Sequence, residues 1–81
     1  MKDEEMTYKE LSQCFRSRFL QLRGDKKQME FAKILGINVE TLKKWEHGHL
    51  VPNALSLHKI SEACNVSIDW LLGLTDRKER E

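Results

Sequence analysis

Apolar residues recur along the chain at the three- and four-residue spacing of helices, and no segment alternates as a half-buried strand does. The pattern predicts helices over residues 8–22, 26–35, 39–47, 54–64 and 68–72. The apolar stripe of the first helix consists of Leu11, Cys14, Phe15, Phe19 and Leu22. The sequence therefore predicts an all-α domain of five helices.

Capping residues stand where these helices begin. Thr7 and Glu10 have the spacing of a capping box, in which both side chains accept hydrogen bonds from free backbone donors. Asp25 and Gln28 repeat that spacing before the second helix, so we expect Asp25 to be its N-cap. The residues expected to cap the later helices are Asn38, Asn53 and Ser67.

The second and third predicted helices must meet closely. Ala32 is small enough for a close crossing, and Gly36 can adopt the positive φ of a tight turn. Leu42 then anchors the third helix to the core. This spacing is typical of a helix-turn-helix, which places its second helix in the major groove of DNA. An αα-hairpin in a small helical bundle has the same features and is the alternative.

Charge is distributed unevenly along the 81 residues. The net charge is only +1, but residues 11–60 contain nine lysine or arginine and four aspartate or glutamate residues. A basic middle between mixed ends is compatible with a surface that faces phosphates. A chain of this length builds a barely sufficient core by itself, so we also expect a partner subunit.

The helices predict one domain over residues 7–74, between an N-terminal tail (1–6) and a polar C-terminal tail (75–81) that we expect to be disordered. No apolar stretch approaches the roughly 20 residues that span a bilayer, and the N-terminus lacks the apolar segment of a signal peptide. Cys14 and Cys64 fall on helix faces and not in a disulfide framework. These features favour a soluble cytoplasmic protein.

The sequence shows no grouping of residues that performs catalysis. His47, His49, His58 and the two cysteines lack the spacing of metal ligands. There are no paired catalytic carboxylates, no Ser/His/Asp grouping and no glycine-rich phosphate loop. We therefore expect no metal, no cofactor, no small-molecule ligand and no enzymatic activity.

The order of parts resembles the lambda repressor/Cro-type helix-turn-helix family, also called the XRE family, over roughly residues 11–74. The most specific stretches are Phe31-Ala32-Lys33-Ile34-Leu35-Gly36, Leu42-Lys43-Lys44-Trp45-Glu46-His47-Gly48 and Val66-Ser67-Ile68-Asp69-Trp70-Leu71-Leu72-Gly73. The resemblance implies a five-helix lambda-repressor-like domain with the helix-turn-helix at helices 2 and 3. It also implies binding to operator DNA as a symmetric dimer, in transcriptional repression or activation.

In this geometry the third helix lies in the major groove. The positions that resemble the family's base readers are Val39, Glu40, Thr41 and Lys44. Val39 or Thr41 would contact a thymine methyl group, and Lys44 would donate to guanine. Glu40 would accept from a cytosine amino group, or it lies at the helix start only because the helix dipole favours an acid there. The alternative for Lys44 is a solvated helix face.

The residues expected to bind DNA phosphates are Gln28, Lys27, Lys43 and His49. Gln28 resembles the family's phosphate-contacting glutamine at the start of helix 2, where free N–H groups attract the same anion. Its alternative role is to complete the cap with Asp25. The lysines and His49 would add contacts that hold the protein on DNA without reading bases.

Apolar residues near the end of the domain exceed what one small core absorbs, and we interpret them as a dimer surface: Leu50, Val51, Trp70 and Leu74. Full burial of Trp70 in the monomer is the alternative. Arg18 lies inside the stripe of helix 1 and needs an acidic partner, for which Glu46 is the candidate. Many relatives pair an arginine with the glutamate that matches Glu46. Here Phe19 occupies the arginine's position, so Arg18 or Arg23 must serve, or the pair is absent.

The leading hypothesis is a sequence-specific regulator, most simply a repressor, that binds a palindromic double-stranded DNA operator as a homodimer. The alternative is a protein-interaction module on the same fold, such as an antirepressor or an antitoxin, for which DNA binding is secondary.

Overall fold

The computed structural model describes residues 7–48 and 50–80 of the chain. Within them lie five α-helices: α1 (Tyr8–Arg23), α2 (Gln28–Leu35), α3 (Val39–Glu46), α4 (Ala54–Cys64) and α5 (Ile68–Leu71). The described residues contain no strand, so the all-α prediction is confirmed. None of their helices is long and apolar enough to cross a membrane.

Aromatic side chains form the centre of the core. The ring of Phe19 lies 5.1 Å from that of Phe15, 5.4 Å from that of Phe31 and 5.7 Å from that of Trp45, measured between centroids. The contact with Trp45 is edge-to-face, an arrangement that aromatic pairs favour. Burying each such side chain stabilises the fold by about 1.5–3 kcal/mol. The apolar stripe of α1 therefore fixes α2 and α3 on one scaffold.

Most of the predicted caps are confirmed. The Thr7 hydroxyl accepts from the Glu10 N–H at 3.1 Å, and the Glu10 carboxylate accepts from the Thr7 N–H at 2.9 Å. The side-chain oxygens of Asn38, Asn53 and Ser67 likewise accept hydrogen bonds from N–H groups in the first turns of α3, α4 and α5. These short polar side chains satisfy donors that have no partner inside the helix.

The start of α2 differs from the prediction. The helix begins at Gln28 with Lys27 as its N-cap, and Asp25 is an exposed residue of the link and does not cap it. The Glu30 carboxylate accepts from the backbone N–H of Lys27 at 3.4 Å. Lys27 and Glu30 have the same separation as Asp25 and Gln28, so spacing alone could not select between the two starts.

Residues 75–80, which we expected to be disordered, contact α1 and α5. The backbone N–H of Ser67 donates to the Lys78 carbonyl at 2.8 Å, which brings the segment back to the start of α5. The Lys78 ammonium lies 5.3 Å from the centroid of the Trp70 ring, within the range of a cation–π interaction. Polar contacts thus hold a segment that has no apolar side chain to bury.

Arg18 joins this segment to α1. Its Nη1 donates to the carbonyls of Trp70 at 2.6 Å and Thr75 at 2.8 Å, and its Nη2 lies 3.3 Å from the Asp76 carboxylate. The guanidinium also lies 5.0 Å from the centroid of the Trp70 ring. We call Arg18, Trp70, Thr75, Asp76 and Lys78 the C-terminal clasp.

The clasp corrects two expectations. Arg18 does not pair with Glu46, because its side chain extends toward the end of α5 and finds backbone carbonyls there. Trp70 does not fit the dimer surface proposed for it, because it is only 5% exposed and packs in the core beneath two cations. The alternative of burial within the monomer is the correct one for Trp70.

Candidate nucleic-acid interface

The turn between α2 and α3 has the geometry that the sequence predicts. Gly36 ends α2 in the left-handed conformation, with φ 70° and ψ 36°. The N–H of Ile37 then donates to the Ala32 carbonyl at 3.0 Å, which closes the turn. Ala32 is 3% exposed. A small residue and a glycine therefore allow two short helices to pack closely at an angle.

One side of α3 faces the core and the other is open. Leu42, Trp45 and Glu46 are buried, and Leu42 is completely inaccessible. Among the predicted base readers, Glu40 and Lys44 are exposed, whereas Val39 and Thr41 are half-buried. Lys44 forms no hydrogen bond or ion pair with any residue that the structure describes. Glu40 and Lys44 thus lie on the open side of the helix, whereas Val39 packs partly against the core.

A buried carboxylate fixes the far end of α3. Arg23 donates to Glu46 through two nitrogens, at 2.6 Å to Oε2 and 3.2 Å to Oε1, and the Gln28 amide donates to Oε1 at 2.9 Å. Glu46 is 4% exposed. We call Arg23, Gln28 and Glu46 the Glu46 cluster. A bidentate arginine–carboxylate pair restricts orientation as well as distance.

The Glu46 cluster connects three elements that a DNA-binding surface must hold together. Arg23 ends α1 and also donates to the Lys26 carbonyl at 2.8 Å, which orders the link to α2. Gln28 is the first residue of α2, and Glu46 is the last residue of α3. Of the two arginines considered from the sequence, Arg23 is the partner of Glu46.

The predicted phosphate-binding residues have different surroundings. The Lys27 side chain is exposed at the start of α2, and the first N–H groups of that helix have no acceptor within it. The Gln28 amide has two N–H donors, so the bond to Glu46 leaves one of them. His49 lies outside the described residues. The cap with Asp25 that we considered for Gln28 does not form.

Lys43 lies 3.6 Å from the Glu40 carboxylate one turn earlier. The Lys43 and Glu40 side chains are 43% and 72% exposed, and such surface pairs stabilise by at most about 1 kcal/mol. Both charges can therefore exchange this contact for one with a ligand. The pair also offsets the repulsion that a lone Glu40 would exert on a phosphate.

One residue of this region, Arg16, was not identified from the sequence. Arg16 donates through Nε to the Glu46 carbonyl at 2.6 Å, and Arg23 binds its carboxylate. Arg16 and Arg23 are seven positions apart, so they lie on one face of α1 two turns from each other. That spacing was visible in the sequence, but only the fold shows that Glu46 lies opposite both.

The residues expected at a dimer surface, other than Trp70, are at least partly accessible. Leu50 is 45% exposed, Leu74 is 62% exposed and Val51 is half-buried. Leu55, in the first turn of α4, is 64% exposed and was not predicted.

The described residues offer little for metal or thiol chemistry. They contain no group of three His, Cys, Asp or Glu side chains that could hold a metal ion. Cys14 and Cys64 are free thiols, both half-buried. Burial raises the pKa of the Cys64 thiol above its ordinary value, and the nearby charges of Lys26 and Lys78 oppose that rise.

The fold and this surface define a helix-turn-helix domain. The chain matches the Helix-turn-helix family over residues 20–71, which include α2 to α5. An uncharacterized HTH-type transcriptional regulator of Haemophilus influenzae is 40% identical over 42 residues, which are 52% of this chain and 18% of that relative. No solved structure gives a significant match. The chain belongs to the XRE-type helix-turn-helix family.

Proposed function

We propose that this chain is a sequence-specific DNA-binding regulator of transcription, most simply a repressor, which binds a palindromic operator as a homodimer. The single observation that carries the proposal is the open side of α3, with Glu40 and Lys44 exposed, on a helix that is held at both ends. The α2–α3 turn holds one end of this helix, and the Glu46 cluster holds the other. A recognition helix needs this combination, because base readers must be accessible and fixed in orientation.

Base selection would come from the four side chains at the start of α3. Lys44 is a long exposed cation, suited to donate to guanine O6 and N7 in the major groove. Glu40 can accept from a cytosine amino group when it leaves Lys43. Val39 and Thr41, half-buried at the base of the surface, would contact thymine methyl groups.

Phosphate contacts would supply most of the affinity and position α3 in the groove. Lys27 and the free N–H groups at the start of α2 lie together, and Gln28 beside them keeps a spare donor. Lys43 and His49 would bind the backbone further along. Gln28 thus connects a bound phosphate to the residue that fixes the recognition helix.

A dimer would place two copies of α3 on one face of the DNA, about 34 Å apart. The surface that we propose for this dimer consists of the exposed side chains of Leu50 and Leu74, together with half-buried Val51 in the loop between α3 and α4. Leu55 would add to that surface. Two recognition helices related by a twofold axis read a palindrome.

Selection of bound duplexes from a random pool, with the mass of the complex measured in solution, tests this function. We expect a palindromic motif whose half-sites lie one helical turn apart, and two chains on each duplex. Affinity should fall steeply as salt rises. A chain that selects no motif and binds independently of salt would overturn the proposal. Co-purification with a stoichiometric protein partner would then favour an interaction module.

A further inference from the structure

A basic cleft lies between α1 and the end of α3, where Arg16 binds the Glu46 carbonyl. It has a volume of about 350 Å³ and is lined by Lys9, Ser12, Gln13, Arg16, His47 and Gly48. Two of these side chains are cationic, and none is acidic. Such a lining attracts an anion, since no carboxylate there repels one.

Arg16 is held at one wall of the cleft. Its Nε donates to the Glu46 carbonyl at 2.6 Å, which restrains the position of the guanidinium. The described residues offer no hydrogen bond or ion pair to its two Nη groups. A guanidinium held at Nε, with its terminal donors accessible, has the fork geometry that binds phosphate oxygens in pairs.

Gly48 lies against the stem of Arg16. A Cβ atom built on Gly48 would lie 3.4 Å from the Arg16 Cδ, in van der Waals contact, and the backbone there has a φ of +77°. A side chain at this position would therefore strain the backbone. Lys9 is exposed two turns earlier on α1, and no described residue pairs with its ammonium.

We propose that Arg16 and Lys9 bind a backbone phosphate of the same DNA that α3 reads. This inference rests on the proposed function. Lys27 and Gln28 would hold one phosphate, and Arg16 would hold a second phosphate. Because Gln28 and Arg16 both donate to Glu46, each phosphate contact bears on the residue that ends the recognition helix.

Lys9→Ala is the cleanest test, since the Lys9 side chain is exposed and no hydrogen bond or ion pair of it with a described residue would be lost. The matched control is Lys59→Ala, which removes the same charge from an exposed position on α4. Arg16→Ala is the second variant, with thermal unfolding measured to follow the loss of its bond to Glu46. Affinity for one operator duplex and one unrelated duplex is measured as a function of salt.

We expect Lys9→Ala and Arg16→Ala each to weaken binding to both duplexes by about three- to tenfold, and to reduce the slope of log K against log salt by about one. Lys59→Ala should change neither quantity. If the wild-type chain binds DNA and both Lys9→Ala and Arg16→Ala keep its affinity and salt slope, this inference is overturned and the proposed function stands. A wild-type chain that does not bind DNA would overturn the proposed function first.

A second probe, inorganic phosphate alone, distinguishes the source of the anion. Nuclear magnetic resonance shifts at Lys9 and Arg16 are followed during a titration without DNA. Weak, unsaturated changes support a phosphate supplied by the duplex. Saturable binding of free phosphate, with DNA affinity unchanged in both variants, would contradict the assignment to DNA.

Discussion

Two arginines of α1, five residues apart, build two different regions of the molecule. Arg23 binds a buried carboxylate at the end of α3. Arg18 binds two backbone carbonyls and lies beside the carboxylate of Asp76, which is fully exposed. In the Glu46 cluster, charge is paired with charge inside the protein. In the C-terminal clasp, a cation is shared among two backbone carbonyls, an exposed carboxylate and an aromatic ring.

The difference indicates what each region is for. The Glu46 cluster joins the start of α2 to the end of α3, so it controls the orientation of the candidate reading surface. The clasp joins α1 to α5 and residues 75–78, and none of these contacts involves α2 or α3. We therefore expect damage to the cluster to affect both stability and DNA binding, and damage to the clasp to affect stability alone.

Glu46→Ala should have the largest effect. It leaves Arg23 and Gln28 without their acceptor, and breaking such a pair costs about 2–4 kcal/mol once the partial exposure of Arg23 is allowed for. Urea denaturation measures this loss. Glu46→Gln is the matched variant, since it keeps an acceptor for Gln28 and should lose less. DNA affinity, measured where each variant is folded, should fall in the same order; an equal loss in both variants would contradict a role for the charge.

Arg18→Ala should have the next largest effect. It removes two hydrogen bonds from a charged donor and a cation–π contact, together worth about 1.5–3 kcal/mol. Trp70 should become more accessible to a fluorescence quencher as residues 75–78 detach. The affinity of the folded variant for DNA should match that of the wild type. A loss of affinity as large as that of Glu46→Ala would erase the distinction between the two regions.

The Cys64 thiol should make a smaller, pH-dependent contribution to the free energy of unfolding. Burial raises the pKa of its thiol above 9.0, while Lys26 and Lys78 oppose the rise. The neutral thiol is thus favoured in the folded state, and the unfolded chain ionises first as pH increases. The stability it contributes is complete below about pH 9 and is lost as pH rises through the folded pKa.

The measurement is the free energy of unfolding at about pH 8 and pH 10 for the wild type and for Cys64→Ala. Other groups titrate in that range, so the difference between the two proteins is the quantity of interest. The wild type should lose more stability than the variant. Parallel loss in both would show that Cys64 does not contribute.

The comparison also shows which features a sequence can predict. Helix caps and tight turns depend on contacts within a few residues, so the sequence was sufficient to predict the roles of Thr7 with Glu10, of Gly36 and of Asn38. The start of α2 was misplaced because two residue pairs had the same spacing. Local sequence patterns thus predict the presence of a helix more reliably than its first residue.

Long-range partners were harder to predict. The sequence offered Arg18 and Arg23 as partners of Glu46, and only the packing of α1 on α3 selects Arg23. The burial of Trp70 depends on cations from α1 and from residue 78, which no local pattern connects. The base readers come from the resemblance to the family and stay a prediction; the structure gives the exposure of these side chains on α3.

The central claim is that α3 reads bases through exposed side chains, and Lys44 tests it most directly. The base preferences of Lys44→Ala are determined by selection from a random pool, beside those of the wild type and of Lys59→Ala. We predict that Lys44→Ala loses its preference at one base pair of each half-site, by about 1–3 kcal/mol, and keeps the others. Lys59→Ala should keep the complete profile. A Lys44→Ala profile identical to that of the wild type at every position would contradict this reading of α3.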